Sequence, residues 1–583
     1  MSEKKVLTGK PSQDRPWRKY YPDSIDRLFV PDWTIAQFIR KLNENMDARA
    51  INYYGTDITW ATFWKEVDRT ARALKALGFG ENDQIPVFLR SVPEFLMIFF
   101  AAEKIGASTL CRDNTLAENI DAVQKSGAKA IIASEFLPQE ELDAYLSETA
   151  CEKCVLVSPW RLADRSAMPD HVVTALEAIY PDQPAGGPAT MDWDAFIAAG
   201  ERYDGPVEAP IDLDRPTFRV YTSGSTGPSK QVIHSQRSMM GVLCQMCSSW
   251  PDPQQMPGGF QPTLLLAILP PCLLAVTLAM MILPMASGMV LILDPFVDPA
   301  DIDLEVMRYR PNVWPVIPML LEFVLRSKRV PADYDMSHLI ACGVGAESFN
   351  NGQQRRANKF FKEHNCGVVC TSGYGQTEAG STITLPCPDF ANHPILDGNA
   401  GIPLPMSNVA IFKPGTQEEL GYNEPGELCK TGPGVMLGYD NAEATAKALQ
   451  MHDDGNLWLH TGDIAYMDED GVLYLRTRGE SPRFGGGDLQ VIPMENRLAD
   501  AKIAGIDDEF FVLAKDPEHE GCFLPYLYLV LNPGYTLDDV TDAVNAAMED
   551  FQRPAAIVQL PERPYFHFKT NRIGLSKTLN SEK

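Results

Sequence analysis

The sequence predicts an α/β protein: a large N-terminal domain of layered α/β subdomains, followed by a small α+β domain. Three observations predict it. Short apolar runs alternate with helix-period stretches, the pattern of parallel strands joined by crossover helices. At 583 residues the chain exceeds what one hydrophobic core accommodates, so several lobes are expected. Near residues 476–487 the composition shifts to Arg, Gly, Ser and Pro, and a new apolar alternation then begins. A boundary there divides the chain into a large domain, 1–478, and a small one, 479–583.

In chain order, residues 59–77 read as a helix, with Phe63, Val67, Ala71 and Leu74 on one face and Gly78 and Gly80 as the stop. Residues 84–89 read as a strand, Pro93–Ile105 as a helix closed by Gly106, and 128–133 as another strand. The unit repeats with strands at 289–293 and 313–317, and 181–188 (PDQPAGGP) reads as a loop. Residues 263–293 are strongly apolar, but Pro270, Pro271, Pro284 and Gly288 cut them into lengths suited to buried strands and helices rather than a membrane span.

The formal charge, 51 basic against 77 acidic side chains or −26, argues against nucleic acid and anionic lipid as partners. Any phosphate-bearing ligand must then be held locally by backbone amides, a few cations and Mg²⁺. Cys151/Cys154 and Cys244/Cys247 have CxxC spacing without a supporting His pattern, so the twelve cysteines read as reduced thiols. The start, MSEKKVLTGK, has no apolar stretch behind its lysines, and a cytoplasmic location is expected.

The segment Tyr221-Thr-Ser-Gly-Ser-Thr-Gly-Pro-Ser-Lys230 carries the most chemistry. It follows an extended apolar stretch. Thr222, Ser223, Ser225 and Thr226 supply hydroxyls, Gly224 and Gly227 let the backbone approach a ligand, and Lys230 adds a point charge suited to phosphate. Further on, Tyr374 offers a flat face for a purine and Thr377 a hydroxyl for a phosphate. Glu378 is a hard oxygen ligand for Mg²⁺, and Asp463 can accept both ribose hydroxyls.

This loop, continuing into Gln231-Val-Ile-His234, resembles the signature of the adenylate-forming superfamily of acyl- and aryl-CoA synthetases, peptide-synthetase adenylation domains and luciferases. Gly343-Val-Gly-Ala-Glu347 is similar to that family's stretch beside the adenine, and Gly373-Tyr-Gly-Gln-Thr-Glu378 to its GYGxTE motif. Glu424-Pro-Gly-Glu427, Gly434-Val-Met-Leu-Gly-Tyr439 and Trp458-Leu-His-Thr-Gly-Asp463 follow in the family's order. The resemblance implies nucleotide contacts from the loop, Gly345, Ala346, Glu347, Gly373, Tyr374, Gly375, Gln376, Thr377, Asp463 and Arg478. It implies catalytic roles for Lys230, Thr377, Glu378 and a C-terminal cation, and ATP, Mg²⁺ and CoA as ligands. It also implies a small domain that rotates between two half-reactions: a carboxylic acid and ATP give acyl-AMP and pyrophosphate, then a thiol displaces AMP.

Four departures from the family pattern stand out. Thr477-Arg478-Gly479-Glu480 occupies the hinge, with Glu480 as the pivot. Arg483-Phe-Gly-Gly-Gly487 replaces a Lys-x-x-Gly stretch. Arg572, flanked by Lys569 and Lys577, stands where the family has its adenylation lysine. Leu269-Pro-Pro-Cys-Leu273 lacks the usual aromatic gate. The acyl pocket should draw on Cys272, Leu273, Val276, Pro318, Gly343 and Gly373, which favours an apolar acid over a free amino acid. CoA is the expected acceptor, with a carrier protein, an amine and a non-catalytic nucleotide-binding role as alternatives. The basic, aromatic residues 16–21 are left with two placements, against the large domain or in a homodimer contact.

Overall fold

The computed structural model describes residues 7–113, 115–222, 229–248, 261–347, 349–394, 398–478, 483–484, 487–566 and 569–581. The helix read at 59–77 runs Trp60–Ala76. The Thr59 side chain accepts from Thr62 N–H (3.3 Å) as its N-cap, and Phe63, Val67, Ala71 and Leu74 are all buried. The next helix is Pro93–Ile105, opened by proline and closed by Gly106 in the left-handed region (φ 75°).

Among the described residues two largely parallel sheets and one antiparallel sheet build the large domain. The first runs in the order Thr371–Ser372, Ala341–Val344, Val313–Val316, Thr263–Ala267, Val290–Asp294, Arg49–Tyr53, Thr56–Thr59. The second centres on Pro216–Tyr221, Ser108–Cys111, Gln84–Phe88, Ala130–Ser134 and Lys153–Val157, with Gln231–Ser235 and Gly438–Tyr439 antiparallel at one edge. The third contains Gly426–Thr431, Leu457–Met467 and Leu473–Arg478. The apolar stretch 263–293 is consumed by strands Thr263–Ala267 and Val290–Asp294, a π-helix at Val276–Ile282 and a short helix, Leu283–Ala286, nearly all of it buried. Among the described residues no helix is long and apolar enough to cross a membrane.

Residues 16–21 pack on the large domain. Trp17 is buried, and a Cβ on Gly471 would lie 2.4 Å from the Trp17 nitrogen, so that contact requires glycine. Tyr21 Oη donates to Pro403 O (2.8 Å).

The small domain has its own sheet, Ile506–Lys515, Phe523–Leu531 and Ala556–Gln559, and its own core around Met494, Leu498, Phe511, Leu527, Val540 and Val544. Helix Val491–Ala501 lies against helix Asn351–Glu363 of the large domain. Asn351 N–H donates to Asn496 Oδ1 (3.0 Å), and Arg355 pairs with Asp500 (2.5 Å).

Candidate active site

In an open parallel sheet, ligands lodge outside the carboxyl ends of the strands. Four adjacent strands of the first sheet end at one edge, and each delivers residues expected at the acyl pocket. Thr263–Ala267 leads to Cys272, Leu273 and Val276; Val313–Val316 to Pro318; Ala341–Val344 contains Gly343; and Thr371–Ser372 leads to Gly373. Val276 and Pro318 are buried, whereas Leu273 is 36% exposed. A Cβ at Gly343 or Gly345 would meet nothing within 4 Å, so these backbones face open space. Ile268 sits in the left-handed region (φ 66°), which is strained for a β-branched residue. It is held there by Ile268 N–H to Asp294 O (3.0 Å), with Ser91 Oγ donating to Leu269 O beside it (2.7 Å).

The second sheet supplies the phosphate loop. Residues 223–227 lie outside the described residues, but the neck of the loop is clasped. Thr222 N–H donates to Lys230 O (2.9 Å), Lys230 N–H to Thr222 Oγ1 (3.1 Å), and Ser229 Oγ to Thr222 O (2.6 Å). Gly438–Tyr439 pairs with Gln231–Ser235, which sets the Lys230 ammonium over the Tyr439 ring, 4.9 Å from its centroid. Tyr439 Oη donates to Glu378 Oε1 (2.8 Å). Lys230, Tyr439 and Glu378 therefore form one chain, although Tyr439 lies 209 residues beyond Lys230 in the sequence.

Glu378 lies on the one-turn helix Thr377–Ala379 and is 8% exposed. Two buried nitrogens hold this turn from behind. His234 Nε2 is 2.8 Å from Thr377 O, and Lys430 Nζ donates to Ala379 O (3.1 Å). Burial pushes His234 down to about 4, so its imidazole is neutral. A carbonyl only accepts, so Nε2 carries the proton and Nδ1 is left as an acceptor 3.1 Å from Ser238 Oγ. Burial likewise pushes Lys430 down to about 7. Tyr439, His234 and Lys430 had no role assigned from sequence. Tyr439 closes the stretch 434–439 and His234 the stretch 231–234, but nothing in their spacing announces a contact with Glu378 or Thr377.

The nucleotide side gathers Tyr374, Gln376 and Asp463. Tyr374 Oη donates to Asp463 Oδ2 (2.5 Å), and Gln376 Nε2 donates to Tyr374 Oη (3.2 Å). Burial, then the Asp463 charge, raises the Tyr374 phenol well above its usual value. Asp463 pairs in register with Arg478, the last residue of Leu473–Arg478. Gly375 is dictated by backbone contact, because a Cβ there would lie 1.8 Å from Ser381 O and 2.8 Å from Thr382 Cα. Gly375→Ala is therefore expected to destabilise the fold by roughly 1–3 kcal/mol and to loosen the Tyr374–Glu378 loop. Thermal unfolding and nucleotide titration would check it.

Among the described residues the small domain reaches this cleft through Lys569–Thr570. Thr570 N–H donates to both Glu347 oxygens (3.1 and 3.2 Å), placing Lys569–Thr570 beside the Gly343–Glu347 stretch, where Ala346 takes φ 71°. Arg572 is the cation expected for catalysis. It is turned into the small domain, where it pairs with Glu495 (2.6 Å), a carboxylate only 2% exposed, and donates to Phe511 O. A carboxylate that deep requires a cation, and Arg572 meets that requirement in this arrangement. Glu480, the expected hinge, lies outside the described residues.

Beneath Thr570 the two domains share a charged seam. Arg563 grips Asp508 with Nε and Nη2 (2.7 Å each), donates to Thr570 Oγ1 (3.2 Å), and lies close to Arg356 of the large domain through Asp508 (3.6 Å). Glu509 beside them is pushed up to about 8, first by burial and then by Asp508. A carboxyl raised in the folded state favours folding fully below its unfolded value, and that contribution is lost as pH rises towards 8. Glu509→Gln is therefore expected to gain stability over the parent progressively between pH 5 and pH 8, by about 2–4 kcal/mol at the top of that window. Paired pH–melting curves would show it.

Comparison with known proteins agrees with this geometry. A family model described as AMP-binding enzyme matches residues 38–440. The chain is 27% identical over 433 residues to 4-coumarate–CoA ligase 2 of Oryza sativa subsp. japonica, covering 73% of this chain and 71% of that one. It is similar in fold to ATP-bound MatB from Rhodopseudomonas palustris (TM-score 0.75, 18% identity, 94% of this chain and 100% of that one). The same holds for the amide bond synthetase McbA from Marinactinospora thermotolerans (TM-score 0.72, 18% identity, 94% and 100%). With the ordered motifs, the layered sheets and a family match over most of its length, the chain belongs to the AMP-binding enzymes of the adenylate-forming superfamily.

Proposed function

We propose that the protein is an AMP-forming acid–thiol ligase, converting an apolar carboxylic acid and ATP to acyl-AMP and pyrophosphate, then acyl-AMP and CoA to an acyl-CoA thioester. The observation that carries this reading is the convergence of Lys230, Tyr439 and Glu378 beside the Tyr374–Asp463 pair, at the edge where the four acyl-pocket strands end.

Asp463 takes the ribose hydroxyls, and the Tyr374 ring takes the adenine. The loop 222–230 wraps the phosphates, with Lys230 countering their charge. Thr377 donates to the α-phosphate. Glu378 suits Mg²⁺, which favours one or two carboxylates together with substrate phosphates, and the bound ion would neutralise charge as two anions meet. A substrate carboxylate oxygen then bonds to the α-phosphorus as the bond to pyrophosphate breaks. The thiol sulfur next attacks the acyl carbonyl, and AMP leaves. His234 and Lys430 act through the Thr377–Ala379 backbone and keep Glu378 aimed.

The domain boundary after Arg478 and the pivot at Glu480 belong to this reading, as does the cation of the first half-reaction. In the arrangement seen here Lys569, next to the residue that contacts Glu347, is the better placed candidate, and Arg572 supports the small domain. Lys569→Ala should then cut acyl-AMP formation at an unchanged melting temperature, whereas Arg572→Ala should lower the melting temperature. The reverse pattern would return Arg572 to the catalytic position.

The first test is pyrophosphate release and hydroxylamine trapping across apolar aliphatic and aryl acids, with and without CoA. Turnover that CoA accelerates supports the thioester reading. Turnover indifferent to CoA transfers the acceptor to a carrier protein or an amine, and ATP binding without turnover supports a non-catalytic role.

A further inference from the structure

Away from the Glu378 side of the cleft, the third sheet brings a second set of metal-binding side chains together. Glu427 and Cys429 stand two residues apart on Gly426–Thr431 and so share a face. His460, on Leu457–Met467, is the register partner of Cys429 across the ladder. Its Nδ1 lies 2.9 Å from Glu427 Oε2 and 3.4 Å from Cys429 Sγ, and one donor atom from each of the three lies within 4.8 Å of the others. The Cys429 side chain is fully buried, and Phe412 and Trp458 wall it off from water. On the far side of the imidazole, His460 Nε2 is 2.9 Å from His452 Nε2.

We infer that Glu427, Cys429 and His460 form a binding site for a zinc-class divalent ion, with His452 as the outer partner that sets the His460 tautomer. The donor set is mixed S, N and O, which suits Zn²⁺ and not Mg²⁺. Zinc bonds of about 2.0 Å to nitrogen and about 2.3 Å to sulfur place tetrahedral N and S about 3.5 Å apart. The present 3.4 Å already meets that separation. The contact of 2.9 Å to Glu427 Oε2 must open by about 0.4 Å to the tetrahedral N···O spacing, within the reach of one rotamer adjustment. Three protein donors leave a fourth position for water or an exogenous ligand.

Proton accounting is consistent with the surroundings. In the ion-free state one arrangement has His460 Nδ1–H donating to Glu427, with Nε2 accepting from His452. On binding, the Cys429 thiol gives its proton to solvent. His460 moves its proton from Nδ1 to Nε2, and that N–H then donates to His452, whose hydrogen returns to its other nitrogen. A metal-bound imidazole that donates its second N–H to a fixed acceptor is the usual way a protein fixes such a ligand. The site has a consequence for the nucleotide side as well. Glu427 Oε1 accepts from Gly462 N–H (3.1 Å), so an ion on Oε2 would brace the turn that carries Asp463.

The test uses the full chain freed of metal and titrated with Co²⁺ alone, then with Zn²⁺ in competition. Its readout is optical, so it stands or falls independently of any turnover. The expected result is about one ion per chain, with near-ultraviolet thiolate-to-cobalt absorption and the visible bands of a four-coordinate site, all displaced by Zn²⁺. Cys429→Ala and Cys429→Ser should each abolish the thiolate band. Cys151→Ala/Cys154→Ala and Cys244→Ala/Cys247→Ala should retain it. His452→Phe keeps every direct ligand and should weaken binding by about 10-fold or more. This variant keeps the question decidable if the Cys429 variants fold poorly. Absence of the band in the parent protein would overturn the inference. So would a band that survives both Cys429 substitutions, or one that disappears with either CxxC pair.

Discussion

Glu378→Gln is expected to lower the rate of acyl-AMP formation by about 10²–10³-fold while leaving the melting temperature nearly unchanged. The amide is nearly isosteric, keeps an oxygen to accept from Tyr439 Oη, and leaves the His234 and Lys430 contacts to the backbone of Thr377–Ala379 in place. What it removes is the negative charge that would hold the ion drawing two anions together. The loss should fall on turnover rather than on the Michaelis constant for the acid, because Glu378 has no place among the acyl-pocket residues. Single-turnover pyrophosphate release at saturating ATP and Mg²⁺ separates the two. A loss confined to apparent acid affinity would remove Glu378 from the role proposed for it. Tyr439→Phe is the companion variant. It should reproduce a fraction of the defect, since it frees Glu378 from its hydrogen bond without changing charge.

Arg563→Ala should have the largest effect on stability, about 3–5 kcal/mol of local unfolding of the small domain. Burial alone would raise the Asp508 carboxyl, yet Arg563 and then Arg356 hold it below its ordinary value, so Asp508 is a buried charge that depends on its partner. Removing the guanidinium leaves that charge uncompensated. It also strips Thr570 Oγ1 and Glu509 O of their donor. Two domains with separate cores need not unfold together, so the measurement should be resolved by region. Hydrogen exchange is expected to accelerate across Ile506–Lys515 and Phe523–Leu531 and to stay unchanged in the strands of the large domain. A uniform change across both domains would mean that the seam holds the molecule together as one cooperative unit.

Much of the fold was legible because its signals are local. The 3.6-residue periodicity from Phe63 to Leu74, the proline and glycine around Pro93–Ile105, and the apolar runs interrupted by Pro270, Pro284 and Gly288 each depend on neighbours a few positions away. Candidate nucleotide residues were equally accessible, since phosphate loops and the Tyr374–Glu378 motif are short and contiguous.

The residue types available for phosphate, purine and metal chemistry, and their order along the chain, can be read without any knowledge of the fold. Tertiary structure decided which of them meet. Tyr439 links Lys230 to Glu378 only because its short strand pairs with Gln231–Ser235 across a sheet edge. Lys430 and His234 support the Glu378 turn only because burial leaves each a backbone carbonyl as partner. Arg572 pairs with Glu495 in this arrangement, because a carboxylate taken out of water must be neutralised wherever the chain happens to bury it. The Glu427–Cys429–His460 cluster has no spacing signature at all. It exists because two strands 31 residues apart at Cys429 and His460 are neighbours in an antiparallel ladder, and long-range pairing of that kind is set by the energy of the whole core rather than by any local pattern.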